Sequence, residues 1–480
     1  MEQVVRLRDE FDIDRLANLE GTGLYQTGRS VVWETDGKET DLGDIPRLKD
    51  WMEDSRKKAD YKKVKFINQI LCQYDFARKN DRAEHFPEMF QIEHTDLCNS
   101  RCIMCNHFFT KNHGCSFLSM EAVREIERYL PYARYLALNG IGEPFLHPQI
   151  MDIMEIYEKY GIQMTTNTNL SVMNPELAAI INRTFTDIQI SCDAADKETY
   201  EAIRRGLSFE KFKANAEMLR SAGNVEICMA TVVMRQNILQ LPQIVEFAAD
   251  LGCDKVVLLD LNTSKLLENL NDTIKSFPRT AGRYMEEARE AADRRGVILH
   301  TLDYIQSFQN APNGDELERE REHILKSPLY PDDALAEKLY RMYEELGFEA
   351  PCFLAADTDY CRPGRYDSVG YCQFIENRPF ISAQGDVFNC CTRRMHSMGN
   401  LNTMEFARIW NGDALCKMRN IFNHGKLPYY CTGCTYLRSN LMVDRIQMGK
   451  VDQDFYVDLY DQLRMDIISK NLGDKKNEYI

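Results

Sequence analysis

At 480 residues with 44% apolar side chains, the chain is long enough for two or three domains with sizeable cores. Its 74 acidic residues against 59 basic ones give a net charge of −15, which excludes nonspecific nucleic-acid binding as a leading reading. No apolar run is long enough to span a bilayer, and the N-terminus has no signal-peptide pattern, so a cytoplasmic protein without a membrane partner is expected. In that setting 16 cysteines point to metal binding or chemistry rather than to disulfides.

Residues 1–87 read as an accessory region. Ser30–Thr35 has strand composition, and Asp36-Gly37 is a hairpin turn signal. Helical periodicity runs from Pro46 to Lys79, with Leu48, Trp51, Met52, Val64, Phe66, Ile67, Ile70 and Leu71 as apolar positions. From 88 to 262 strands alternate with amphipathic helices. The strand candidates are 89–94, 134–139, 161–167, 186–192, 225–234 and 255–261, and the helices lie near 119–131, 148–160, 175–183, 208–222 and 239–251. Six such units predict a parallel sheet with helices outside, and chemistry at the carboxyl ends of the strands. Residues 263–350 form a charged, helical bridge with one short strand-like run, Gly296–His300. Residues 351–436 form a cysteine-rich module with few long helices, and 437–480 contain a helix over Val451–Ser469 and a polar tail.

The chemistry centres on Cys98, Cys102 and Cys105, spaced C-x3-C-x2-C directly after the first strand. Three thiolates hold three irons of a [4Fe–4S] cluster, whereas an electron-transfer cluster has four cysteine ligands. The fourth iron is then open to a substrate. The same spacing admits a zinc knuckle completed by His107 or Cys115, or unrelated buried thiols. Cys192, Cys228 and Cys253 sit in apolar runs and read as core.

Two further stretches follow strand ends, and a third lies in the next helix region. Gly140-Ile141-Gly142-Glu143-Pro144 combines glycines, which permit close backbone approach, with a carboxylate suited to an ammonium group, although a tight turn would look the same. Ser191 and Asp193 alternate at the end of the fourth strand, so a hydroxyl and a carboxylate would share one face, as a polyol or a strand cap needs. Arg204-Arg205-Gly206 offers a guanidinium fork for a carboxylate, or a charged surface.

Taken together, residues 88–262 resemble the radical S-adenosylmethionine (SAM) superfamily, whose signature is the Cys98–Cys105 stretch. The resemblance implies an α/β fold, a partial (β/α)6 barrel, behind an N-terminal α+β region and before a small C-terminal auxiliary-cluster domain. It implies that Cys98, Cys102 and Cys105 bind the cluster and that Gly142, Glu143 and Pro144 hold the amino group of SAM. It further implies that Ser191 and Asp193 face the ribose, with Asn167 and Asn169 in the same shell, and that Arg205 meets the carboxylate. Met104 stands where relatives have an aromatic residue beside adenine, which keeps the apolar contact but not the stacking. Ile141 replaces a glycine the family often carries.

The C-terminal module has Cys372, Gly385, Cys390 and then Cys431-x2-Cys434, enough for a second cluster or a zinc site. Gly385-Asp386-Val387, Gly399-Asn400-Leu401 and Ile409-Trp410-Asn411 resemble the auxiliary-cluster module called SPASM, or its shortened form, twitch. No cysteine follows Cys434, so the resemblance is to the single-cluster form, with Cys372, Cys390, Cys431 and Cys434 as ligands. Cys391 is an alternative to Cys390, and Cys352, Cys361 and Cys416 are unplaced.

The family reaction begins with an electron from a reductant such as flavodoxin or ferredoxin. SAM is cleaved to a 5′-deoxyadenosyl radical, which takes a hydrogen atom from the substrate. The single-cluster module resembles that of dehydrogenases acting on sugars, aminocyclitols or nucleotides, which makes oxidation or rearrangement of such a small molecule the first expectation. The alternative is a peptide-modifying maturase forming a thioether, a carbon–carbon link or an epimer, with residues 1–87 binding a leader peptide. A metal-stabilised binding module without activity is the remaining reading.

Overall fold

The computed structural model describes residues 44–105, 115–261, 273–301, 314–329, 372–390 and 397–423, together with the backbone of six further strands. Four of these strands open the chain: β1 (Val5–Arg6), β2 (Gly23–Thr27), β3 (Ser30–Thr35) and β4 (Lys38–Gly43). They form one sheet in the order β1-β4-β3-β2, and β3 and β4 make the hairpin expected around Asp36-Gly37. The helical run that follows is two helices, α1 (Ile45–Lys57) and α2 (Tyr61–Arg78). The break falls where Ala59 takes a left-handed φ of 57°, which a continuous helix does not tolerate.

The six expected parallel strands are present: β5 (Met89–Ile92), β7 (Tyr135–Ala137), β8 (Gln163–Thr168), β9 (Phe185–Ser191), β11 (Glu226–Val233) and β12 (Lys255–Asp260). Between β5 and β7, β6 (Arg101–Cys102) lies within the cysteine loop. The short β10 (Arg204–Arg205) falls between β9 and β11, and pairs antiparallel with β6 apart from the main sheet. The run at 296–300 supplies a seventh parallel strand, β13 (Ile298–His300), beside β12.

Helices connect these strands: α3 (Met120–Glu127), α4 (Ile150–Glu158), α5 (Pro175–Thr184), α6 (Lys197–Ile203), α7 (Phe209–Ser221), α8 (Leu241–Asp250) and α9 (Pro278–Arg295). Their starts are written in the sequence. Ser119, Asn174, Asp196 and Ser208 each accept a backbone N–H three residues on, which satisfies a donor the helix itself leaves open. At the other end, Gly296 stops α9 in the left-handed conformation. A charged helix, α10 (Gly314–Lys326), packs on α9.

Strand alternation separates two faces. Phe90, Ile92, Leu136, Met164, Ile188 and Ile190 are buried against the helices in one continuous core. On β5 to β9 the opposite face carries Gln91, Ala137, Asn139, Thr165, Asn167, Asp187, Gln189 and Ser191, with Asp187 bonded to Thr165. Apart from Ala137 it is polar, and from Asn139 onward it is partly open.

The C-terminal module contributes β14 (Cys361–Pro363), α11 (Gln373–Glu376), β15 (Phe380–Ile381), β16 (Asp386–Phe388), β17 (Gly399–Asn400), α12 (Phe406–Trp410), α13 (Asp413–Asn423) and β18 (Lys426–Pro428). The sequence does not foresee how it attaches. β15 pairs in parallel with β5, and β16 and β17 continue antiparallel from it. One sheet therefore runs β13-β12-β11-β9-β8-β7-β5-β15-β16-β17. Trp410 seals the junction. It is fully buried, its indole N–H donates to the His85 carbonyl at 2.9 Å, and Phe406 beside it packs on Phe90 and Tyr129. Among the described residues no helix is long and apolar enough to cross a membrane. The expected helix at 451–469 lies outside the described residues.

Candidate active site

The cysteine loop leaves the carboxyl end of β5 and is fastened from three sides. Its own strand, β6, pairs with β10 so that Cys102 faces Arg204 and Arg101 faces Arg205, and Ile103 N–H donates to Ile203 at 3.0 Å. Cys102 is buried, and Cys98 and Cys105 are half-buried. The Ser100 hydroxyl sits between two of the thiols, 3.2 Å from Cys98 Sγ and 3.4 Å from Cys102 Sγ. Asn169 places its amide nitrogen 3.9 Å from Cys98 Sγ and 3.0 Å from Asn99 Oδ1. Burial pushes the Cys102 thiol up from its ordinary range, while Arg204 and the Ser100 hydroxyl pull it back toward the thiolate a metal needs. This donor set, three thiols ringed by hydroxyl, amide and guanidinium donors, fits the sulfur-rich surface of an iron–sulfur cluster. Of the zinc alternatives, Cys115 is exposed and His107 lies outside the described residues.

The glycine-rich turn braces this loop from beneath. A side chain on Gly142 would meet the Thr95 carbonyl at 2.2 Å and the Leu97 carbonyl at 2.7 Å, so the close approach the glycine permits is to the chain's own loop. Gly140 is likewise packed on Glu93. Glu143 donates its N–H to Leu97 at 2.8 Å. Its carboxylate accepts from Thr168 Oγ1 at 2.6 Å and Asn169 N at 2.7 Å. Burial pushes that carboxyl up to about 7, against these hydrogen bonds. Glu143 is thus a buried strut tying the turn to the end of β8. Pro144 opens a short 3-10 turn and is buried.

The reading of Ser191 and Asp193 as one face changes here. β9 ends at Ser191, so alternation no longer applies at 193. Ser191 is half-buried on the polar face, whereas Asp193 is fully buried. One Asp193 oxygen accepts Val232 N–H at 2.7 Å and the other meets the Arg204 guanidinium at 2.7 Å, which engages both inside the protein. The Arg204 side chain reaches the cysteine loop, with a terminal nitrogen 3.9 Å from Cys102 Sγ. Arg205 is half-buried and Asn167 exposed. Met104 packs with Val232 on an apolar cluster of Ile103, Ile203, Met234 and Leu261. Cys192, Cys228 and Cys253 are buried, and burial pushes their thiols up to about 12, 11 and 12, as core cysteines.

The profile of the radical SAM superfamily matches residues 92–248, the span from the end of β5 into α8 that carries the cysteine loop, the glycine-rich turn, Asp193 and Arg204. The chain carries a radical SAM domain over this span. The profile of the SPASM iron–sulfur cluster-binding domain matches residues 372–435. The radical SAM domain implies a [4Fe–4S] cluster and SAM, and the SPASM domain implies auxiliary iron–sulfur binding.

Within the SPASM domain, Cys372 is buried at the start of α11 and Cys390 is half-buried just after β16. Cys391, Cys431 and Cys434 lie outside the described residues. Cys416 donates to the Asn411 carbonyl at 3.5 Å. Cys361, unplaced from sequence, lies in β14 opposite Pro428 of β18, close in the chain to Cys431.

Among known proteins, the AdoMet-dependent heme synthase of Methanosarcina barkeri is 24% identical over 350 residues, covering 70% of this chain and 85% of that protein. The mycofactocin maturase MftC of Mycolicibacterium smegmatis is 28% identical over 176 residues, 36% of this chain and 44% of the maturase. The tungsten-containing aldehyde ferredoxin oxidoreductase cofactor-modifying protein of Pyrococcus furiosus is 27% identical over 180 residues, 35% of this chain and 50% of that protein. The chain thus spans about half the length of the latter two. Among solved structures, Streptococcus suis SuiB bound to S-adenosylmethionine aligns with a TM-score of 0.48 at 12% identity, over 83% of this chain and 89% of that one.

Proposed function

We propose that this protein is a radical SAM enzyme in which Cys98, Cys102 and Cys105 hold three irons of a [4Fe–4S] cluster. The observation that carries this reading is the single loop bearing the three thiols at the carboxyl end of β5, fastened by Glu143, Asn169 and Arg204 from neighbouring strand ends. When bound, the cluster leaves one iron open to SAM and supplies the electron that splits the C5′–S bond. The chain's own part is to position and to exclude water. Gly142 and Glu143 set the height of the loop under the cofactor. The apolar group of Ile103, Met104, Val232, Met234 and Leu261 keeps one side of the site dry. We assign Ser191 and Asn167, on the polar face, to ribose hydroxyls and Arg205 to the SAM carboxylate.

For the substrate we favour a neutral, hydroxyl-bearing small molecule of the sugar, aminocyclitol or nucleotide class. The polar face offers amides and hydroxyls, with Asn167 and Gln189 side by side in register, Gln91 bonded to Asn139 at 2.8 Å, and Ser191 above them. Such groups hydrogen-bond a polyol without demanding a charge. In this reading a flavodoxin or ferredoxin supplies the electron that cleaves SAM, the substrate's first electron leaves with the abstracted hydrogen atom, and its second passes to one auxiliary cluster held by Cys372, Cys390, Cys431 and Cys434. The second reading is a peptide maturase. The four-stranded sheet and two helices ahead of the core favour it, as a platform on which a peptide can pair.

The test is an anaerobic iron and sulfide count on protein with Cys98, Cys102 and Cys105 all replaced by alanine. About four irons should remain, with 5′-deoxyadenosine formation abolished. Undiminished SAM cleavage would sink the cluster assignment, and a residual iron count near zero would remove the electron acceptor.

A further inference from the structure

The sulfurs of Cys98 and Cys102 face different donors. Cys98 Sγ has neutral ones, the Ser100 hydroxyl at 3.2 Å and the Asn169 amide at 3.9 Å. Cys102 Sγ shares Ser100 but faces a permanent cation, the Arg204 guanidinium at 3.9 Å. That cation is held in place from both ends. Its backbone pairs with Cys102 across the β6–β10 ribbon, and its other terminal nitrogen lies 2.7 Å from Asp193. Asp193 is itself fixed by Val232 N–H. Gly206, at φ 89°, lets the chain turn away directly afterwards, where a side chain would come within 3.1 Å of the Asn99 carbonyl. The Arg204 side chain is 8% exposed and that of Asp193 0%, so solvent screens neither.

Reducing a cluster adds negative charge to its sulfurs. A buried N–H cation beside a ligand sulfur stabilises the reduced state more than the oxidised one, and hydrogen bonds to sulfur are a recognised lever on potential. Asp193 partly cancels the charge, but it meets one terminal nitrogen while the other lies 3.9 Å from Cys102 Sγ, so the cation stands between the carboxylate and the sulfur. We propose that Arg204, clamped by Asp193, is a positioning residue that raises the reduction potential of the iron–sulfur cluster through the Cys102 sulfur. This rests on the reading that Cys98, Cys102 and Cys105 hold that cluster.

The experiment is an anaerobic redox titration of the iron-loaded full chain, followed by electron paramagnetic resonance. The relevant cluster is recognised as the one whose signal changes when SAM is added, and its midpoint is then measured without SAM. Arg204→Gln should keep the wild-type iron count yet shift the midpoint to more negative potential, and Arg204→Lys should recover part of the shift. If Arg204→Gln loads poorly because Asp193 is left buried and unpaired, the neutral pair D193N/R204Q serves, with the same expected shift. An unchanged midpoint in a fully loaded glutamine variant overturns the proposal. So does iron loss from all three variants, which would make Arg204 a folding element of the loop. A wild-type protein with iron but no SAM-sensitive signal would instead sink the underlying cluster reading.

Discussion

At the scale of single residues, Glu143 has the most to say about pH. Its carboxyl is raised from 4.5 to about 7 by burial, so the folded state prefers it protonated. The stability it contributes is therefore fully present below pH 4.5 and lost as pH rises through about 7, an effect on the order of 3 kcal/mol if the shift is fully expressed. Glu143→Gln should flatten the dependence of the denaturation midpoint on pH between 5 and 7.5, while an equally steep curve in both proteins would assign the slope elsewhere. The residue scale also shows what sequence can and cannot resolve. The three cysteines were legible because their spacing is itself the chemistry. The placing of Arg204 against Cys102 is not legible in the sequence, because a two-residue ribbon shows no period and only its register says which residues meet. Asp193 misled for a related reason: the period of two stops where the strand stops.

At the scale of elements, the helices can be read where their periodicity repeats over eight or more residues, and the six strands because each is a short run of β-forming residues at the expected place between such helices. α6 and the β6–β10 ribbon were missed, since elements this short carry too few positions to show a period. The same holds for β15, a two-residue strand whose place beside β5 is decided by packing far along the chain. What fixes it is α12. Trp410 and Phe406 fill the space over Phe90, and the Arg419 guanidinium lies 4.3 Å over the indole. Asn411 adds a pair of hydrogen bonds to the Ala83 backbone, at 2.8 and 2.9 Å. Trp410→Ala should cost about 3–5 kcal/mol in denaturant unfolding, because it opens a cavity and orphans the His85 carbonyl. A loss below 1 kcal/mol would mean the module is held mainly by other contacts.

At the scale of the whole molecule, radical SAM core and SPASM domain share one sheet and one apolar core, from Leu48 in α1 to Leu415 in α13. Units that share a core melt together. Far-UV circular dichroism and the fluorescence of a W33F/W51F variant, in which Trp410 alone reports the junction, should therefore give coincident thermal midpoints. A fluorescence change that precedes the loss of secondary structure would show the C-terminal module detaching first. The hairpin between β15 and β16 reaches the cysteine loop as well. Gln384 donates to Asp96 at 2.7 Å and to Ser116 Oγ at 3.0 Å, and Ala383 N–H donates to Glu93 at 3.3 Å. The two iron-binding regions are thus mechanically joined at the base of the first.

The pairing of β15 with β5 also sets a timetable for synthesis. The N–H groups of Met89, Gln91 and Glu93 bond to the carbonyls of Asn377, Pro379 and Ile381, which the ribosome makes some 290 residues later. At about 5–20 residues per second, the strand that leads into the cysteine loop waits roughly 15–60 s with one edge bare. The nascent chain is therefore exposed to strand-pairing with its neighbours for most of its translation, and the iron-binding loop gains its final support only when β15 emerges.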